Sequence, residues 1–105
     1  MTPGEGRFRI AYAEAAVRHL SKLTARQRAT VLDVVELKLT HQPTVPTRNR
    51  KRLRDNALAP WELRIGEIRV YFDVQEAPEA VVTIRAVGVK TRERILFGGE
   101  EVDLK

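Results

Sequence analysis

The residues of this sequence best suited to chemistry are its arginines: 14 of the 19 basic residues are Arg and 5 are Lys, set against 14 acids for a formal charge of +5. A planar guanidinium makes bidentate contacts with phosphate, so this balance points to a polyanion as partner. Arg48, Arg50, Lys51, Arg52 and Arg54 lie in one run without an acid, and Lys90, Arg92 and Arg94 form a second cluster. A solvated surface loop is the plainer account of such a run. Between the clusters, Arg64 and Arg69 flank Gly66-Glu67, and Tyr71 and Arg85 follow. If these four share one face of a sheet, they make a phosphate-binding surface with an aromatic for stacking. An ordinary surface network, with Glu62 and Asp73 neutralising the arginines, fits the same residues.

Conventional catalytic signatures are missing. Ser21 is the only serine and has no His-Asp partnership. His19 and His41 are too far apart for a helical metal pair and no acidic cluster accompanies them, so no metal or other cofactor is expected. Without cysteine there is no disulfide framework and no thiol nucleophile. Gly98-Gly99 lacks the Lys-Ser/Thr of a phosphate-binding loop.

Periodicity shows which strands and helices carry these residues. The 105 residues, 43% hydrophobic, suit one domain spanning 1–105 with a core over about 7–97. No stretch approaches the ~18 apolar residues of a membrane span, and residues 1–7 lack the apolar run of a signal peptide, so a soluble, cytoplasmic protein without a membrane partner is expected. Phe8, Ile10 and Tyr12 alternate with Arg7, Arg9 and Ala11 as in a half-buried strand. Ala13, Ala16, Val17, Leu20 and Leu23 then recur at helical spacing. Thr24 and Gln27 read as a capping box opening a second helix, with Ala25, Ala29, Leu32, Val35 and Leu39 as its apolar face and its end before Pro43. Residues 43–60 read as a connector holding three prolines and the basic run, with Leu53 as its anchor.

Trp61, Leu63 and Ile65, then Ile68, Val70 and Phe72, alternate with polar residues around Gly66-Glu67, the signature of a two-residue type II′ hairpin. The turn fixes register: Trp61 faces Phe72, Leu63 faces Val70 and Ile65 faces Ile68 on the core side, with Arg64 opposite Arg69 and Glu62 opposite Tyr71 on the other. Like charges directly opposed cost up to about 1 kcal/mol, so another demand should justify the arginine pair. Residues 81–87 supply a third strand of the meander, bounded by Gly88, with Arg85 on the same open face. The predicted order is β-α-α-β-β-β, an α+β fold with a two-helix hairpin on one face of a small, mainly antiparallel sheet.

This order, the Arg52-Leu53 step, the hairpin Arg64-Ile65-Gly66-Glu67-Ile68-Arg69 and the pair Val87-Gly88 together resemble the RelE/ParE superfamily of bacterial toxins of toxin–antitoxin systems, over about residues 7–97. The resemblance implies a toxin sequestered by an acidic antitoxin. In the RelE branch the open face binds mRNA in the ribosomal A site and cleaves it; in the ParE branch the toxin inhibits DNA gyrase without chemistry of its own. A degenerate member would only bind its antitoxin. For the first reading the resemblance makes Arg64, Arg69 and Lys90 or Arg92 catalytic. It leaves Arg48, Arg50, Lys51, Arg52, Arg54, Tyr71, Arg85, Arg94 and Phe97 to bind RNA. Two departures stand out: Glu62 occupies a position where the best-known RelE enzymes carry a second lysine, and Leu96 or Phe97 stands where they carry a tyrosine.

Overall fold

The computed structural model describes residues 7–56 and 58–101. Strand β1 (Arg9–Tyr12) leads into helices α1 (Glu14–Ser21) and α2 (Ala25–Leu39). The corner between them is built by side chains that satisfy helix ends. Thr24 accepts from the Gln27 amide at 3.0 Å while the Gln27 side chain accepts from the Thr24 amide at 2.9 Å, the expected capping box. Arg28 reaches back to the carbonyls of Leu20 and Leu23 at 3.1 and 3.3 Å, giving the Leu20 carbonyl a second donor beside the Leu23 amide.

The face that α2 buries differs from the expected one. Val31, Val35 and Leu39 are fully buried one helical turn apart, whereas Leu32 is 42% exposed and Ala25 and Ala29 face solvent. The β-branched valines are a poor signal for helix, yet they are the part of α2 that fills the core.

Strand β2 (Arg50–Arg52) forms within the connector, followed by β3 (Trp61–Ile65), β4 (Ile68–Gln75), β5 (Val81–Thr91), β6 (Arg94–Phe97) and β7 (Glu100–Glu101). Among the described residues, seven strands belong to one sheet, with the order β2-β3-β4-β5-β6-β7. β1 lies beside β5 in a parallel pairing, from Arg9↔Val81 to Tyr12↔Ile84. The β3–β4 register is the one the two-residue turn dictates, Trp61↔Phe72 through Ile65↔Ile68. Gly66 has φ +60° and Glu67 does not share the positive φ, as a type II′ turn requires. Between Tyr71 and Phe72 the register with β5 shifts, so that Tyr71 faces Ala86, Phe72 faces Ile84, and Arg85 is the extra residue of a bulge.

Two apolar clusters result. The main core joins Ala16, Leu20, Val31, Val35 and Leu39 of the helices to Trp61, Leu63, Val70, Phe72, Val82 and Ile84 of the sheet. The second, on the opposite face, gathers Ala59, Tyr71, Ala86 and Phe97 with Leu53, Leu58 and Ile95 packed against them. Leu53 is thus an anchor, as expected, but to this second cluster. Among the described residues no helix is long and apolar enough to cross a membrane.

Candidate functional site

The sheet face away from the helices carries the arginine pair, and the pairing Arg64↔Arg69 is the expected one. The repulsion anticipated for it is relieved by sending the two guanidinium groups to different acceptors. Arg64 Nε donates to Glu62 Oε1 at 3.3 Å and the Arg64 side chain stays 45% exposed. Arg69 turns inward: its Nη1 donates to the carbonyls of Gly66 at 2.7 Å and Ile68 at 3.1 Å, and the residue is 8% exposed. Arg69 therefore ties the hairpin turn to its own strand, and its charge is spent on backbone rather than offered to solvent.

Glu62 is the organising acid of this face. Its side chain is 8% exposed, accepts from the Tyr71 hydroxyl at 2.8 Å, and stands 4.0 Å from Lys51 Nζ. The register already placed Glu62 opposite Tyr71, so the sequence carried a signal for this contact, although not for its burial. Tyr71 is fully buried. Burial first, and then its hydrogen bond to the Glu62 carboxylate, pushes the Tyr71 hydroxyl well above the usual tyrosine range. It stays protonated near neutral pH.

The stacking role expected of Tyr71 and Phe97 meets a closed surface. Phe97 is 3% exposed, its ring 5.6 Å from that of Tyr71 and 5.4 Å from that of His19. Gly88 makes this closure possible: a Cβ there would lie 2.6 Å from Ile95 Cγ2 and 2.9 Å from Phe97 Cε1. With no side chain at 88, β6 lays both residues against the sheet. Neither aromatic presents a ring to a base.

The basic run divides in the same way. Arg50 is 7% exposed; its Nε donates to the Val45 carbonyl at 2.7 Å and its Nη1 to the Lys38 carbonyl at 2.8 Å. It clamps the connector to the last turn of α2, and burial lowers its pKa from the usual arginine value. Arg48, Lys51, Arg52 and Arg54 are exposed, with Arg52 held 5.9 Å above the Trp61 ring. Arg85 is exposed and pairs with Asp73 at 3.2 Å, the neutralising network anticipated as the plainer alternative. Lys90, Arg92 and Arg94 are exposed, and the strand expected over 81–87 runs on past Gly88: Lys90 lies within β5, Arg92 in the turn after it, and Arg94 opens β6.

One further polar residue escaped the sequence reading. β1 leaves β5 at Ile84 and β6 joins it at Val89, so the β5 edge has a gap. His19 fills it, its Nδ1 accepting from the Val87 amide at 3.2 Å. That bond spans 68 residues of sequence, and nothing local to His19 announces it. Burial, and secondarily Arg18, lowers the His19 pKa from its usual value, which keeps the acceptor neutral.

The arrangement can bind anions on exposed cations at its margins. It offers no accessible hydroxyl of Tyr71 for proton transfer. Among the described residues no group of three or more His, Asp or Glu is placed to hold a metal ion.

No protein-family model matches this chain and no curated protein matches it. A solved structure does: a chain of the toxin-antitoxin complex RelBE2 from Mycobacterium tuberculosis, with a TM-score of 0.68 over 81% of this chain and 93% of that one. The identity of 22% makes this a likeness of fold. Two helices on a mixed, mostly antiparallel sheet, matched over nearly the whole of that neighbour, establish that this chain has the RelE-like α+β fold.

Proposed function

We propose that this chain is the toxin of a toxin–antitoxin pair, active in the cytoplasm and silenced by an acidic antitoxin. Its target on this reading is mRNA in the ribosomal A site, bound and cut in the RelE manner. The observation that carries the proposal is the RelE-like fold joined to a sheet face whose Arg64 remains exposed, with Lys51 and Lys90 also in solvent. On this face catalysis rests on charge. Arg64 and Lys90 offset negative charge on the phosphorane while the ribosome orients the ribose 2′-hydroxyl for in-line attack. Arg69 contributes by fixing the hairpin that carries Arg64, a positioning role.

A second reading is a toxin that binds its target without chemistry, as a gyrase inhibitor does. It is favoured by one observation: the one aromatic hydroxyl on this face among the described residues, that of Tyr71, is buried, and Phe97 has none to offer. Incubation with translating ribosomes, read by primer extension, and in parallel with gyrase and supercoiled DNA separates the two. New mRNA ends that diminish tenfold or more with Arg64→Gln support the nuclease. Intact mRNA with blocked supercoiling supports the inhibitor. The absence of both effects, in a protein harmless at high expression, would refute the toxin reading.

A further inference from the structure

The β5–β6 ribbon outruns its neighbours. The last β4 partner of β5 is Ile68, opposite Val89, and the adjoining β3–β4 turn is fastened by the Lys90 amide donating to the Glu67 carbonyl at 2.7 Å. Beyond that bond, Thr91 and Arg94 still pair and the chain reverses through Arg92-Glu93. The tip therefore projects about 7 Å past the neighbouring hairpin, at ~3.4 Å per residue. It carries Lys90, Arg92 and Arg94 against one carboxylate, Glu93, all four exposed. Among the described residues none of the three cations has an ion-pair partner, whereas Lys51, Arg64 and Arg85 each have one.

The backbone at this tip is the unusual part. The sheet has three two-residue turns with positive φ. Two of them use glycine: Gly66 at +60° after β3, and Gly98 and Gly99 at +62° and +87° after β6. The third holds Arg92 at φ +59°. An L side chain is disfavoured there, and glycine or asparagine is the ordinary choice for such a position. A strained residue held at an exposed, charged tip is the pattern expected where the side chain is needed for contact.

We infer that this tip is a nucleic-acid contact in its own right, a narrow basic ribbon that enters a groove of a folded or duplex nucleic acid and places Arg92 among its phosphates. A two-stranded ribbon is of a size that the major groove of a B-form duplex admits, and phosphate is the chemistry that recognises arginines without an ion-pair partner among the described residues. The contact does not depend on cleavage by the sheet face. It is distinct from a single strand lying along that face.

Binding of the full chain, without ribosomes, to a 20-base-pair RNA duplex, to the B-form DNA duplex of the same sequence and to single-stranded RNA of equal length tests this across a salt series. Arg92→Gly should raise the melting temperature by about 4 °C, because the strain is relieved. The same change should weaken duplex binding about fivefold and reduce the slope of log K against log salt by about 0.9. Arg94→Gln should reduce the slope by about the same amount, and Glu93→Gln should tighten duplex binding. Whichever duplex binds more tightly names the source of the phosphates. The inference fails if Arg92→Gly leaves affinity and slope unchanged, if it lowers the melting temperature along with affinity, or if single-stranded RNA binds as tightly as either duplex.

Discussion

Arg50 offers a direct test of whether a basic residue serves the fold or a ligand. It lies in the middle of the run that composition marks for RNA, yet its guanidinium is buried and donates to the carbonyls of Val45 and Lys38 at 2.7 and 2.8 Å. Arg50→Ala removes two charge-assisted hydrogen bonds and leaves both carbonyls without these donors. Each such bond is worth about 1.5 kcal/mol or more, and water reaching the vacated site restores part of the loss, so a net destabilisation of about 2–4 kcal/mol is expected. For a chain of this size that corresponds to a fall in melting temperature of about 10 °C or more. Arg50→Lys should lie between, because a single ammonium cannot reproduce the fork that spans α2 and the connector. The assay is urea unfolding of the wild type and both variants, beside Lys51→Gln at the neighbouring exposed position, which should stay within about 0.5 kcal/mol. An Arg50→Ala protein as stable as the wild type would refute the clamp and return Arg50 to the RNA-binding surface.

Tyr71→Phe deletes the hydroxyl that donates to the buried Glu62 carboxylate, and urea unfolding should register a loss of about 1.5–3 kcal/mol. Gly88→Ala should destabilise by about 1–3 kcal/mol in the same assay, because Ile95 and Phe97 occupy the space of the new methyl group. His19 makes stability depend on pH with a definite sign. Its folded pKa lies below the unfolded value of 6.5, so the unfolded chain binds the proton more readily and stability falls as pH drops through 6.5 toward the folded pKa. Unfolding midpoints measured from pH 7.5 to 5 should show this fall, and His19→Gln should flatten it.

The features legible in residue order alone are local and periodic. Two residues between Ile65 and Ile68 leave one hairpin register, so the opposition of Arg64 to Arg69 and of Glu62 to Tyr71 could be read without coordinates. Thr24 and Gln27 announced the start of α2 because a capping box is complete within four residues. Alternation, however, says which side of a sheet a residue occupies and nothing about what covers that side. Tyr71 lies on the face away from the helices, as alternation requires, but Leu53, Leu58 and Ala59 from the connector and Phe97 from β6 close over it. The fates of the arginines are likewise tertiary. Arg50, Arg64, Arg69 and Arg85 have the same donor groups, and only the positions of the carbonyls of Lys38 and Val45, the carboxylates of Glu62 and Asp73, and the turn at Gly66 decide which are spent inside the fold. These contacts share no common interval, running from a separation of 2 residues for Arg64–Glu62 to 12 for Arg85–Asp73, so no single spacing announces them. The Val87 amide reaching His19 across the gap between β1 and β6 is the clearest case, because the need for an acceptor there exists only once the sheet has formed.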